Sequence, residues 1–200
     1  GTADDRMVKV DQDFEDTQAE IGGLIYPDPL EVVVNPGGSA YFVQDWTNNG
    51  TAVDRGNITI YDIPDGWSVS VWRDTQLTAE PPIGVYAGNI STYCPSGHCV
   101  LVATEDTGDG ILDNQDDVVA ANDTGSDGVP DSGDLDPSGG QVKIILSVTV
   151  PSTAMPGTYV LRERGSSNNE WLYLRESDPE LPYNDDSVYY DEALKIVRVP

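Results

Sequence analysis

Cations are scarce in this chain: Lys and Arg number 10 against 35 Asp and Glu, a formal net charge of −25. A surface that negative repels a phosphate backbone at every approach, which excludes nucleic acid as a partner. Long apolar runs are missing too. None approaches the roughly 18 residues of a spanning helix, so no membrane span is expected. No charged-then-apolar leader precedes Gly1, and if the protein is exported its signal is expected to have been removed already. With His98 as the sole histidine, a Ser-His-Asp or Cys-His arrangement has one candidate base, and there is no G-x-S-x-G nucleophile motif. No pair stands out among the many carboxylates as a glycosidase acid and base. Catalysis is therefore not expected. The 2 cysteines, Cys94 and Cys99, enclose a Pro-Ser-Gly-His loop. Two thiols and His98 fall short of the four ligands of a closed zinc site. Their spacing suits a local disulfide across a tight turn, which predicts an oxidising compartment.

What is present favours strands. Val and Ile far outnumber Leu, and β-branched residues fit a pleated surface. Residues 141–150 place Val142, Ile144, Leu146, Val148 and Val150 on one face, with Lys143, Ser147 and Thr149 on the other, the period of a half-buried strand. Similar reading predicts strands near 24–34, 40–47, 57–63, 67–73, 158–164, 170–175 and 193–199. They are punctuated by Asn35-Pro36-Gly37-Gly38, Asn48-Asn49-Gly50 and Pro64-Asp65-Gly66. Short strands at such spacing predict an all-β sandwich. No amphipathic helix is expected beyond a turn or two within 12–23. The strand pattern breaks over 74–140, a stretch without Lys or Arg that reads as an insertion. Its first half carries the disulfide loop 94–99 and a possible strand at 99–103, and its second half is too rich in Asp and Gly to form a core by itself.

The order of turns resembles the Ig-like domains appended to secreted glycosidases and prokaryotic surface proteins. The residues that carry the likeness are the glycine turn before Ser39-Ala40-Tyr41-Phe42-Val43, then Trp46-Thr47-Asn48-Asn49-Gly50, then Ile63-Pro64-Asp65-Gly66-Trp67. Val150-Pro151-Ser152-Thr153-Ala154-Met155-Pro156-Gly157-Thr158-Tyr159 closes the pattern. The resemblance covers roughly 29–73 and 141–164, and the long acidic insertion departs from it. It implies an antiparallel Ig-like sandwich over 24–200 and a non-catalytic spacer, adhesin or assembly module.

Within the insertion, residues 105–117 and 122–134 repeat around Asp109-Gly110 and Asp127-Gly128. In each, a β-branched residue follows the Asp-Gly, and two further Asp follow at three-residue steps: Asp113 and Asp116, then Asp131 and Asp134. A hard cation takes six to eight oxygens, glycine makes the sharp turn, and an apolar residue anchors such a loop. The pattern resembles a pair of thrombospondin-type-3 or dockerin-like calcium loops. Position one falls on Glu105 or Asp106 in the first loop and on Asp123 in the second; the third-position acid is replaced by Thr107 and Gly125. Carboxylates at this density repel unless something neutralises them, so Ca2+ is the expected cofactor over 105–136. A second acidic cluster over 178–192 lacks the glycine turns and reads as a solvated loop.

Sequons at Asn49, Asn57, Asn89 and Asn122 predict covalent glycans and an extracellular or cell-surface location. Met7-Val8-Lys9-Val10 in the extension 1–23 alternates like a short strand, set off by Gly22-Gly23. It is a candidate to add to a neighbour's sheet edge and so make the protein its own partner, a homopolymer; pairing within the chain is the alternative. The expected role is a calcium-stabilised, glycosylated subunit of a filament or surface layer. The alternative is a carbohydrate-binding or spacer module of a secreted enzyme, for which Trp46, Trp67, Trp72 and Trp171 are the candidate sugar-stacking residues.

Overall fold

Turns at the predicted glycines divide the chain into strands that pack as two sheets. The computed structural model describes residues 25–26, 30–74, 82–92, 94 and 98–200. The candidate donor strand at 7–10 and the turn expected within 12–23 lie outside the described residues. The first sheet takes β1 (Ile25–Tyr26), β3 (Ser39–Asn48), β10 (Gly140–Thr149) and β5 (Ser68–Asp74) in that order. The second takes β2 (Leu30–Val33), β12 (Tyr190–Val199), β11 (Gly157–Ser167) and β4 (Asp54–Tyr61). This is the arrangement of an immunoglobulin-like sandwich, in which the first, second, fifth and fourth strands face the third, sixth and seventh. Pairing is antiparallel except between β2 and β12, which run parallel.

The core follows from period-2 alternation. Ala40, Phe42 and Trp46 of β3 and Ile144, Leu146 and Val148 of β10 point across to Ile58, Ile60, Leu161 and Val197 of the other sheet. The predicted strand 24–34 is two, β1 and β2, which join different sheets and so let one segment edge both.

The stretch 74–140 is less separate than its composition implies. It supplies β6 (Gly84–Ala87), which pairs with β3, and β7 (Cys99–Thr104), which pairs with β5 and carries β8 (Asp117–Val118). It also supplies β9 (Asp131–Leu135), which crosses to the other sheet and pairs with β4. The first half covers the outer face of the first sheet, where Tyr41, Val43, Ile90 and Ile145 form a second apolar cluster with Trp72, Tyr86, Cys94 and Cys99 against it. The second half closes the side between the sheets. Its anchor is Leu112, fully buried and hydrogen-bonded through its main chain to Ile60. Local Asp and Gly thus hold position by borrowing a core from the sandwich.

One predicted strand is wrong. Over 170–175 the chain forms the helix α1 (Asn168–Leu174), with Ser167 as N-cap accepting from the Glu170 N–H. Ser167-Asn168-Asn169-Glu170 is the S-x-x-E pattern of a capping box, a start signal that outweighs the aromatic content of Trp171 and Tyr173. Trp171 packs with Tyr183, Val188 and Val129 in a third cluster. That cluster ties the β11–β12 connection to the second acidic loop.

Candidate metal centre

The second acidic loop gathers its carboxylates. Oxygens of Asp123, Asp127 and Asp131 all lie within 4.8 Å of one another. With metal–oxygen distances of about 2.3–2.6 Å, oxygens on opposite sides of a calcium ion stand about 4.6–5.2 Å apart, so the three fit one ion. The loop is wound around Asp123, whose Oδ1 accepts the N–H of Gly125 and Ser126 and whose Oδ2 accepts that of Gly128. A carboxylate has about four lone-pair sites, so three N–H bonds leave capacity for a cation. Gly128, at φ +78°, makes the turn that a residue with a side chain would strain, and Val129 behind it is buried.

Asp131 is the least solvated member, at 1% exposure. Its Oδ1 accepts from Thr124 Oγ1 and the Gly133 N–H and lies 3.5 Å from Arg73 Nη1. Its Oδ2 is buried with no hydrogen-bond partner among the described residues. Burial raises the Asp131 carboxyl above the usual carboxylate value, against the pull of Thr124, Gly133, Arg55 and Arg73. An orphaned, buried oxygen beside two other carboxylates is what a coordinating cation would satisfy.

Compensating charge also comes from outside the insertion, which the absence of Lys and Arg inside it concealed. Arg55 of β4 lies 3.8 Å from both Asp127 and Asp134, and Arg73 of β5 also donates to the Asn122 carbonyl. Arg55 takes the place of a third-position side chain. A Cβ on Gly125 would stand 2.5 Å from the Arg55 guanidinium, which occupies that space. Asp134 does not join the cluster, because the register of β9 on β4 sets it directly opposite Arg55.

The first loop does not gather three carboxylates in this way. Asp116 turns inward and accepts the N–H of Asp106, Thr107 and Asp113, while Asp109 caps Ile111, Asp113 caps Gln115 and Glu105 accepts the Gly108 N–H. Glu105, Asp109, Asp113 and Asp116 close the loop as acceptors and Asp106 gives its N–H to Asp116, and these five are not gathered as Asp123, Asp127 and Asp131 are. The apolar anchor is Leu112 and not the β-branched Ile111.

The other predicted residues separate clearly. A disulfide joins Cys94 to Cys99, with Cα atoms 5.7 Å apart. Asn57 is buried, its amide nitrogen donating to Asn168 Oδ1. Asn89 is exposed and closes an Asx turn with the Ser91 N–H, and Asn49 is half-buried. Asn122 commits its amide nitrogen to the Leu101 carbonyl. Trp46, Trp67 and Trp171 are buried, and Trp72, partly buried, packs on the second cluster.

Sequence reasoning missed a buried ion pair. Lys195 Nζ donates to Glu163 Oε2 at 2.6 Å, across the paired strands β12 and β11 of the second sheet. The strand alternation held the signal, since Glu163 shares a face with Leu161, and Lys195 with Val197.

No protein-family model and no curated protein matches the sequence. Among solved structures the chain is similar to the PapD-like domain 7 of human CEP192, at 10% identity over 88% of this chain and 83% of that one, with a TM-score of 0.37. It is also similar to a family 123 glycoside hydrolase from Clostridium perfringens, at 9% identity and TM-score 0.37, over 86% of this chain but 23% of the enzyme. A third is AvmM, which catalyses macrocyclization in alchivemycin A biosynthesis, at 8% identity over 84% and 82% of the two chains, TM-score 0.37. The class of protein is an immunoglobulin-like β-sandwich, which the strand order above establishes.

Proposed function

We propose that the chain is a non-catalytic structural module of the cell exterior, an immunoglobulin-like sandwich whose open side is closed by one calcium-binding loop. The observation that carries this reading is the Asp123, Asp127 and Asp131 cluster with the unpartnered Oδ2 of Asp131. Arg55 and Arg73 already offset part of its charge, so affinity should sit in the weak range of extracellular modules, about 10⁻⁴–10⁻³ M. Such an ion is bound where calcium is millimolar. The disulfide and the sequons at Asn49, Asn89 and Asn122 support the same compartment. Assembly into a filament or surface layer, through the segment around Met7-Val8-Lys9-Val10, belongs to this reading as its partner, a second copy of the chain.

Calcium bound only to the folded state raises stability by mass action. At millimolar calcium the melting temperature should exceed that in chelator by several degrees, and Asp127→Asn should abolish the difference. Equal melting of the unsubstituted protein in calcium and chelator, at moderate salt, would overturn the reading.

A further inference from the structure

The disulfide loop lies over a buried carboxylate that its sequence neighbourhood does not contain. Asp74, at the end of β5, is fully buried and directly opposite Cys99 in the β5–β7 register, so their side chains share a face. His98 Nδ1 lies 3.3 Å from Asp74 Oδ1 and 3.8 Å from Cys99 Sγ. The Sγ atoms of Cys94 and Cys99 and a ring nitrogen of His98 all fall within 4.8 Å of one another.

We propose that reduction of the Cys94–Cys99 disulfide opens a tetrahedral transition-metal site, formed by both thiolates, His98 Nδ1 and Asp74 Oδ1, that takes Zn2+. The set has the four ligands that Cys94, His98 and Cys99 lack by themselves. With Zn–S about 2.3 Å and Zn–N and Zn–O about 2.0–2.2 Å, a tetrahedron requires N···O of about 3.4 Å and N···S of about 3.6 Å. The folded chain already holds its pairs at 3.3 and 3.8 Å. Asp74 lies outside the group that Cys94, His98 and Cys99 form within 4.8 Å, so the sulfurs must part from each other and close on Asp74 Oδ1, which breaking their bond permits. Two thiolates and an imidazole select a borderline-soft ion such as Zn2+ over Ca2+, so this site and the acidic loop do not compete. Trp72 and Tyr86 pack in the cluster with both cysteines and limit water there.

The two states exclude each other. A phosphine and water reduce the disulfide to two thiols, leaving phosphine oxide, and the metal then displaces the two thiol protons to solvent. Metal binding therefore draws the chain toward the dithiol form.

The test uses the full chain, reduced with a phosphine under anaerobic conditions, freed of reductant and titrated with Co2+. One equivalent should give thiolate-to-cobalt charge-transfer absorption with tetrahedral d–d bands, removed by Zn2+ and unaffected by Ca2+. The unreduced chain should give neither. Cys94→Ser should abolish the bands, and His98→Gln and Asp74→Asn should each weaken Co2+ binding by tenfold or more. The proposal is overturned if the reduced chain gives no such bands, whether folded or unfolded by circular dichroism. It is equally overturned if His98→Gln and Asp74→Asn both leave affinity and bands unchanged, the mark of a bare dithiol.

Discussion

At the scale of single residues, two of the buried carboxylates, Glu163 and Asp131, each carry a prediction. Glu163 is fully buried with Lys195, and its Oε1 has no hydrogen-bond partner among the described residues. Removing one member of such a pair leaves an uncompensated buried charge, which costs about 3–5 kcal/mol, whereas replacing both with apolar groups is often neutral. Lys195→Met should therefore lower urea-unfolding stability by that amount, and Lys195→Met with Glu163→Leu should recover most of it. A single variant as stable as the parent would contradict this account of the core. Asp131 is the second case. Its folded-state carboxyl is raised from the usual value of 3.8 by burial, so the folded chain binds this proton more readily than the unfolded one. The Asp131 contribution to stability is then greatest below the unfolded value and is lost as pH rises through the folded one. In chelator, the parent should gain stability relative to Asp131→Asn as pH falls from 7 toward the carboxylate range. Urea midpoints of the two proteins at each pH read this directly, and parallel curves would remove the effect.

Elements were legible to the degree that their signals were local. The strands at 40–47, 67–73 and 141–150 show in the sequence because apolar residues alternate over a full strand between glycine turns, and the structure places β3, β5 and β10 there. Strands β6 and β9 do not show, because each is short and holds its place through pairing with a distant strand, β3 or β4. The same reason hid Arg55 and Arg73 from any reading of the acidic loops. The spacing of Asp123, Asp127 and Asp131 was visible, but the turning of Asp116 into its own loop depends on backbone amides that no spacing rule reports. The start signal of helix α1, Ser167 and Glu170, lay in the sequence, but the aromatic Trp171 and Tyr173 made the segment read as a strand. Its cap gives a prediction at this scale. Ser167 Oγ accepts from the Glu170 N–H and donates to Asp54 Oδ2, joining the helix to the first residue of β4. Loss of an N-cap costs about 1 kcal/mol, and the part-buried bond to Asp54 adds to that. Ser167→Ala should thus lower stability by about 1–2 kcal/mol in urea unfolding, with Ser167→Thr milder. An unchanged midpoint would mean that the cluster of Trp171, Tyr183 and Val188 holds the helix without its cap.

For the whole molecule, the question is how a chain of net charge −25 meets another copy of itself. A two-sheet sandwich ends in edge strands with unpaired backbone groups, which a solitary protein must protect and a polymer can offer to its neighbour. Protection differs among the edges here. Edge strand β9 carries Asp131 and Asp134 and bends at Gly133, all of which oppose further pairing. Edge strand β2 has only Leu30–Val33, with Val33 at 63% exposure, and presents an apolar edge with one acid, Glu31, already paired to Arg198. It is the better acceptor for an added strand. Main-chain hydrogen bonds would supply affinity, and Val8 and Val10, two residues apart, would set the register. Approach of two such anions is repulsive beyond close contact, and salt at physiological strength screens it within about 8 Å. Assembly is therefore expected to need salt or calcium and to weaken in chelator at low ionic strength. Deleting residues 1–12 should leave a folded monomer that no longer elongates, read by light scattering and electron microscopy alongside circular dichroism. If the truncated protein forms the same filaments, the added strand comes from elsewhere; if the full chain stays monomeric at high concentration with calcium, the copy is not its partner.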